Sequence, residues 1–125
     1  MELCATHRGP VTMPLPPHRA PRFVFHLMAT PTEAELLESA QGGDSRAFSR
    51  LVKMHQRRIY ACAVGMLGDG GDADDAVQET FVRAWRAIAR FDGRSKLSTW
   101  LYRVCVNVCL NHIRKRKRHE AADIA

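Results

Sequence analysis

The chain has little of what marks secreted, membrane-spanning or disulfide-stabilised proteins. Its 125 residues include only four cysteines, with no CxxC pair, so we expect a reducing compartment, the cytoplasm. No run of about eighteen apolar residues occurs, and no membrane-spanning helix is predicted. The first 28 residues lack the long apolar stretch and the small-residue cleavage site of a secretory signal.

Sequence patterns typical of enzyme active sites are also missing. There is no glycine-rich phosphate loop after a strand, no nucleophile elbow and no carboxylate pair in a cleft-like setting. Cys105, Cys109 and His112 fall on one side of a predicted helix, but structural zinc takes four ligands, so packing cysteines are the better interpretation. We therefore predict a protein that is not an enzyme and that uses no metal, cofactor or small-molecule substrate.

The N-terminal segment differs in composition from the rest of the chain. Residues 1–28 hold five of the six prolines and a single acidic residue. Such a segment cannot bury enough apolar surface to fold, and we predict a disordered extension over residues 1–30. An alternative is that Met28 is the true start and that the residues before it are an upstream extension.

Apolar residues from residue 31 onward recur at steps of three and four, which is the period of amphipathic helices. The sequence predicts helices from Glu33 to about Gln41, from Asp44 or Ser45 to Gly68, from Asp72 onward, and from Ser98-Thr99 into the basic run. Short glycine-marked connections and the lack of strand alternation predict an all-α fold, a small monomeric bundle of about four helices. Its inward positions are Phe48, Leu51, Val52, Ile59, Cys62, Ala63, Met66, Leu67, Ala73, Ala76, Val77, Phe81, Ala84, Trp85, Ile88, Leu97, Leu101, Val104, Cys105, Val108 and His112, with His55 as a half-buried packing residue.

Positive charge is concentrated in the last third of the chain. Residues 91–125 hold eight Lys or Arg against three acidic residues, whereas residues 31–90 hold eight against nine. The five consecutive basic residues 114–118 cannot lie in a packed core, because each charge would be desolvated without a partner. This run faces solvent or a polyanion, for which nucleic acid is the natural candidate.

The residues that lead into the basic run are typical of a surface that binds nucleic acid. Arg103, Asn107, Asn111 and Arg114 recur at three- and four-residue steps and share one side of a helix. The aromatic residues Phe91, Trp100 and Tyr102 and the cations Arg94 and Lys96 lie close to them in sequence. Amide and guanidinium groups hold phosphates, and aromatic rings hold unstacked bases. A solvated basic helix end is the alternative interpretation.

Several segments, in this order and spacing, resemble region 2 of a bacterial RNA polymerase sigma factor of the extracytoplasmic-function (ECF) group. They are Asp44-Ser-Arg-Ala-Phe48, Asp72-Ala-Asp-Asp-Ala-Val-Gln-Glu-Thr-Phe-Val-Arg-Ala-Trp85, Phe91, Ser98-Thr-Trp-Leu-Tyr-Arg-Val104 and Val106-Asn107, followed by Arg114. The resemblance covers about residues 40–119, and we assign residues 31–119 to the region 2 helical domain.

The resemblance implies a docking surface for the clamp helices of the polymerase β′ subunit. That surface would lie on the helix from Asp72 to Trp85, with Glu79 facing clamp arginines in a charge-assisted bond. The residues expected to bind the polymerase are Asp72, Asp75, Gln78, Glu79 and Arg83.

The same resemblance implies recognition and melting of the −10 promoter element. The loop from Phe91 to Trp100 would capture an extruded base, the helix after it would lie along duplex and strand-separated DNA, and the basic run would hold phosphates. The expected DNA-binding residues are Arg94, Lys96, Ser98, Thr99, Trp100, Arg103, Asn107, Asn111, Arg114, Lys115, Arg116, Lys117 and Arg118.

The sequence departs from a complete member of the group in one respect. We expect residues 120–125 to be only a short tail, because the sequence leaves no room for region 4, which reads the −35 element. We therefore expect a fragment or truncated protein that binds core polymerase and −10 DNA but initiates transcription poorly or not at all. An anti-sigma factor is a further expected partner, which would hold the chain at the membrane; otherwise it would associate with the nucleoid. The alternatives are a sigma-like decoy, an anti-sigma-binding module and a generic basic DNA-binding protein.

Overall fold

The computed structural model describes residues 30–68 and 70–124. Nearly all of the predicted N-terminal extension lies outside this part of the chain. Within the described residues there are four α-helices, one short 3₁₀ helix and no strand, which confirms the predicted all-α bundle. The elements are α1 (Glu33–Gln41), α2 (Ser45–Leu67), α3 (Gly71–Ala87), the 3₁₀ helix Ile88–Arg90 and α4 (Leu97–Ile124).

Both ends of α2 are fixed by residues that the sequence identified. Asp44 is the N-cap, and its Oδ1 accepts bonds from the backbone N–H groups of Arg46 at 2.9 Å and Ala47 at 3.2 Å. These bonds satisfy two donors that have no partner inside the helix. At the other end Gly68 has φ of +82°, a conformation that costs a glycine little.

The core lies where α2 packs against each of the other three helices, while α3 also packs along α4. Leu51, Ile59, Cys105 and Val108 are at most 2% exposed. The predicted inward stripes of α2 and α4 are therefore confirmed as packing surfaces. The buried residues are Leu36, Ala40, Ala47, Leu51, Ile59, Ala63, Leu67, Ala73, Ala76, Thr80, Phe81, Ala84, Ile88, Leu97, Leu101, Cys105, Val108 and Cys109.

Two side chains of α3 depart from the predicted inward stripe. Trp85, expected to face inward, is 37% exposed and packs at the edge of the core, with its ring 5.0 Å from that of Phe48. Thr80 was not in the predicted stripe, yet it is fully buried. Its hydroxyl donates to the Ala76 carbonyl at 2.7 Å, so the polar group enters the core with a partner inside its own helix.

Helix α4 is longer than its apolar stripe. It begins at Leu97, one residue before the predicted Ser98-Thr99 start, and its helical conformation continues through the basic run to Ile124. Its buried residues end at Cys109, so the C-terminal half extends past the core. Among the described helices, none combines the length and apolar character needed to cross a membrane.

His55 of α2 is a packing residue with a polar partner, as predicted. Its side chain is only 11% exposed, and its Nε2 lies 2.5 Å from Oε2 of Glu33. This contact ties α1 to α2 and satisfies a half-buried imidazole.

Candidate functional site

The polar side of α4 is a continuous exposed surface. Arg103, Asn107, Asn111 and Arg114 are all exposed, as their spacing predicted. Arg114 Nη1 donates to Asn111 Oδ1 at 3.1 Å, which orients an amide and a guanidinium side by side. Because the buried residues of α4 occupy the other side of the helix, this polar side is available to a partner.

The segment before α4 is anchored to α1 by a residue that the sequence analysis missed. The Gln41 side-chain amide donates to the carbonyls of Ile88 at 3.0 Å and Phe91 at 2.8 Å. These bonds span 47 and 50 residues of sequence, so no local pattern could have indicated them. They fix where the loop of residues 91–96 leaves the bundle.

The loop itself is shaped by a local turn that exposes its cations. Asp92 Oδ1 accepts from the Arg94 backbone N–H at 3.0 Å, and Gly93 takes φ of +79°. This is the Asx-type turn that aspartate followed by glycine favours. The Arg94 side chain is 90% exposed although its Nε lies 3.2 Å from Asp92 Oδ2. Lys96 is also exposed, so both predicted loop cations can reach a polyanion.

An aromatic pair joins this loop to the start of α4. The rings of Phe91 and Trp100 are 5.2 Å apart between centroids and tilted by 47°. Both residues are half-buried against the core. Ser98 is half-buried and Thr99 is exposed, which places two hydroxyl groups close to the rings in sequence. The pair therefore offers partly exposed ring surface that can contact an unstacked base.

The five α3 residues expected to bind the polymerase are surface residues, and four of them share one side of the helix. Asp72, Asp75, Glu79 and Arg83 follow one another at steps of three and four, so they are neighbours on the helix surface. Glu79 Oε2 accepts from Arg83 Nη2 at 2.6 Å. Gln78 is exposed beside them. We refer to Asp72, Asp75, Glu79 and Arg83 as the α3 polar face.

The α3 polar face meets the basic end of α4. Arg116 Nη2 lies 2.5 Å from Asp72 Oδ2, and His112 Nε2 lies 3.3 Å from Glu79 Oε1. An open groove of about 540 Å³ runs between the two helices. It is lined by Asp72, Asp75, Glu79, Asn111, His112, Lys115, Arg116 and His119. The sequence assigned Asp72, Asp75 and Glu79 to one surface and Asn111, Lys115 and Arg116 to another, but the fold brings Asp72 and Arg116 into contact. His112, predicted to face inward, is 23% exposed and lines this groove.

The cysteines of α2 and α4 lie close together in or against the core. Cys105 Sγ is 3.9 Å from Cys109 Sγ and 3.7 Å from the Ile59 carbonyl. Burial, followed by the nearby Cys105, raises the pKa of Cys62 to about 11, and burial also raises the pKa values of Cys105 and Cys109. Residues 30–68 and 70–124 contain no cluster of three or more His, Cys, Asp or Glu able to hold a metal ion.

Comparison with known proteins gives a family match over the same segment. The Sigma-70 region 2 family model matches residues 51–119. The ECF RNA polymerase sigma factor SigW of Bacillus subtilis is 40% identical over 81 residues, which are 65% of this chain and 43% of SigW. The chain spans about half the length of the curated relatives it matches.

Two solved structures share the fold. One is an NMR structure of an engineered region 2 of sigmaE in complex with GTAAAA; it has a TM-score of 0.67 and 38% identity, with 71% of this chain and 93% of that chain covered. The other is CnrH in complex with the cytosolic domain of CnrY, with a TM-score of 0.57 and 35% identity, covering 72% of this chain and 60% of CnrH. The chain therefore belongs to the Sigma-70 region 2 family and is similar to its ECF members.

Proposed function

We propose that this chain acts in transcription initiation by docking on core RNA polymerase and by capturing the −10 element of promoter DNA. The observation that carries the proposal is the position of the exposed polar side of α4 next to the loop of residues 91–96. This loop presents Arg94 and Lys96 and is joined to the start of α4 by the Phe91–Trp100 pair. A relative of the same fold, an engineered region 2 of sigmaE, binds the oligonucleotide GTAAAA.

The DNA half of the proposal follows from the chemistry of these groups. A strand-separated promoter offers unstacked bases and a line of phosphates. The Phe91–Trp100 pair supplies apolar ring surface for a base, and Arg103, Asn107 and Asn111 supply donors along the strand. Flipping a base costs a few kcal/mol, which stacking and hydrogen bonds in the pocket must offset.

The polymerase half of the proposal uses the α3 polar face together with Gln78. Glu79 is partly exposed, at 39% of its side chain, and keeps one oxygen on Arg83 and the other near His112. A clamp arginine from the β′ subunit would exchange these contacts for a charge-assisted pair. Arg103 and Asn107 are not among the residues that line the α3–α4 groove, whereas Asn111, on the same side of α4, is. Docking in the groove would therefore leave Arg103 and Asn107 free for DNA.

Further partners follow from the same surfaces. A masking protein of the anti-sigma kind would cover the polymerase-binding or DNA-binding residues. CnrH, which shares the fold, has been solved in complex with the cytosolic domain of CnrY. We place the chain in the bacterial cytoplasm, as a monomeric binding protein rather than an enzyme.

The experiment that tests the proposal has two arms. In the first, the chain is run with core RNA polymerase on a size-exclusion column at moderate salt. In the second, fluorescence anisotropy compares its binding to single-stranded GTAAAA and to a scrambled strand of the same composition. Co-elution with polymerase, together with tighter binding to GTAAAA than to the scrambled strand, supports the proposal. Elution apart from polymerase contradicts the docking half, and equal binding of the two strands contradicts the promoter half.

A further inference from the structure

The outward side of α2 carries a line of positive charge that the proposed function does not use. Arg46, Arg50, Lys53 and Arg57 follow one another at steps of four, three and four residues, and all are exposed. On a helix such positions are surface neighbours. The buried residues of α2, among them Leu51 and Ile59, lie at other positions around the helix. We call Arg46, Arg50, Lys53 and Arg57 the α2 basic face.

The α2 basic face has no acidic partner within residues 30–68 and 70–124. None of its four side chains takes part in an ion pair there. Helix α2 contains no aspartate or glutamate in its 23 residues. The neighbouring α1 carries three glutamates, yet the contact that Glu33 makes with α2 goes to His55 and not to the basic face.

This arrangement is unfavourable for the isolated helix. Like charges three or four residues apart destabilise a helix by roughly 0.2–0.5 kcal/mol per pair, and α2 has three such pairs in a row along this face. Three of the four cations are arginines, whose planar guanidinium matches the geometry of a phosphate. Tyr60, 42% exposed, continues the line three residues after Arg57 and offers a hydroxyl that can donate to a phosphate.

We propose that the α2 basic face is a second nucleic-acid surface that holds the phosphates of duplex DNA. The eleven-residue step from Arg46 to Arg57 spans about 17 Å at the helical rise of 1.5 Å per residue. That length matches roughly five base pairs of duplex at 3.4 Å each. The contact is independent of sequence, and so this surface adds affinity without adding promoter choice. It goes beyond the proposed function, because no residue of α2 belongs to the promoter or polymerase surface.

The test compares two double variants of the full chain that lose the same charge. Arg50→Gln with Arg57→Gln neutralises the α2 basic face, whereas Arg86→Gln with Arg90→Gln removes two exposed arginines at the end of α3 and in the 3₁₀ helix. Glutamine keeps nearly the helix propensity of arginine, and relief of repulsion should hold or raise the melting temperature of the α2 variant. Anisotropy of a labelled duplex of random sequence is measured from about 50 to 300 mM salt.

The expected result is specific to the α2 variant. The slope of log K against log salt should become less steep by about 1.8, since each lost phosphate contact removes about 0.9 from it. The affinity of this variant for the duplex near 0.1 M salt should fall at least tenfold. The α3 variant should keep the wild-type slope. Equal flattening in both variants would show a net-charge effect only and would overturn the proposal, as would unchanged slopes or no duplex binding by the wild type.

The outcome is separable from the proposed function. The same α2 variant should retain the preference for single-stranded GTAAAA over its scrambled control, since α4 and the loop are untouched. If the wild type showed no preference for GTAAAA, the promoter assignment would be contradicted. The duplex measurement would still decide the role of α2.

Discussion

Arg116 of α4 lies 2.5 Å from Asp72 of α3, although 44 residues separate them in sequence. The pair joins a residue expected to contact polymerase to a residue expected to contact DNA. Together with His112 and Glu79, 3.3 Å apart, it holds the basic end of α4 over the α3 polar face. The five residues of the basic run are therefore not equivalent: Arg114 lies beside Asn111 on the polar side of α4, whereas Arg116 faces α3.

We predict that Arg114→Gln and Arg116→Gln affect DNA binding unequally. Arg114 is available to a phosphate, so its loss should lower the salt slope by roughly 0.7–0.9. Arg116 already has a carboxylate partner, so its loss should change the slope by less than half as much. Anisotropy with a labelled single strand, measured over a salt series, gives both slopes. An equal decrease in slope for the two variants would mean that the Asp72 contact does not hold Arg116 away from DNA.

The Asp72–Arg116 pair should contribute little to stability. Both side chains are about half exposed, at 55% and 42%, and pairs of this kind are worth at most about 1 kcal/mol. Urea unfolding of Asp72→Asn, Arg116→Gln and the double variant gives the coupling energy of the pair. A coupling well above 1 kcal/mol would show that the contact helps to fold α4 rather than only to orient its end.

Arg103→Ala and Asn107→Ala should weaken capture of the −10 strand while leaving polymerase binding unchanged. Each side chain is exposed on the polar side of α4. Among the described residues, neither side chain forms a hydrogen bond with a core residue. A base contact of this kind is worth about 1–3 kcal/mol, which corresponds to roughly a 5- to 150-fold loss of affinity. Arg86→Ala serves as the control in the same anisotropy and co-elution assays. A parallel loss of both activities would indicate unfolding instead.

The cysteines should react slowly in the folded chain. With its pKa raised from 9.0 to about 11, the Cys62 thiol is about 100-fold poorer in reactive thiolate near pH 8 than when unfolded. Iodoacetamide labelling followed by mass spectrometry should show that difference between native and urea-denatured samples. Because the native Cys62 thiol keeps its proton to higher pH than the unfolded thiol, the free energy of unfolding should fall as pH rises from about 9 to about 11. If Cys62 in the native chain were labelled as fast as in the denatured chain, the buried environment that raises its pKa would be contradicted.

Most of the fold was predictable because its signals are local. The Asp44 cap, the Gly68 terminus and the three- and four-residue apolar steps each depend on neighbours in sequence. Trp85 was placed wrongly because its spacing fits the buried stripe of α3 although it lies at the rim, where the bundle covers only part of the large ring.

The site was predictable in its parts but not in its assembly. The exposed polar side of α4 follows from the spacing of Arg103, Asn107 and Asn111. The Gln41 anchor under the loop and the Asp72–Arg116 contact join residues more than 40 positions apart. A glutamine at a helix end and one arginine within a basic run carry no mark of a distant partner, so only the packed fold identifies them.

The most direct test of the proposed function is co-elution of the chain with core RNA polymerase, beside Glu79→Lys and the control Asp74→Lys. Both variants make the same charge change on α3, and Asp74 is exposed outside the α3 polar face. Size-exclusion chromatography at moderate salt, with helicity checked by circular dichroism, should show the wild type and Asp74→Lys in the polymerase peak and Glu79→Lys outside it. Co-elution of folded Glu79→Lys at the wild-type level would contradict the docking surface.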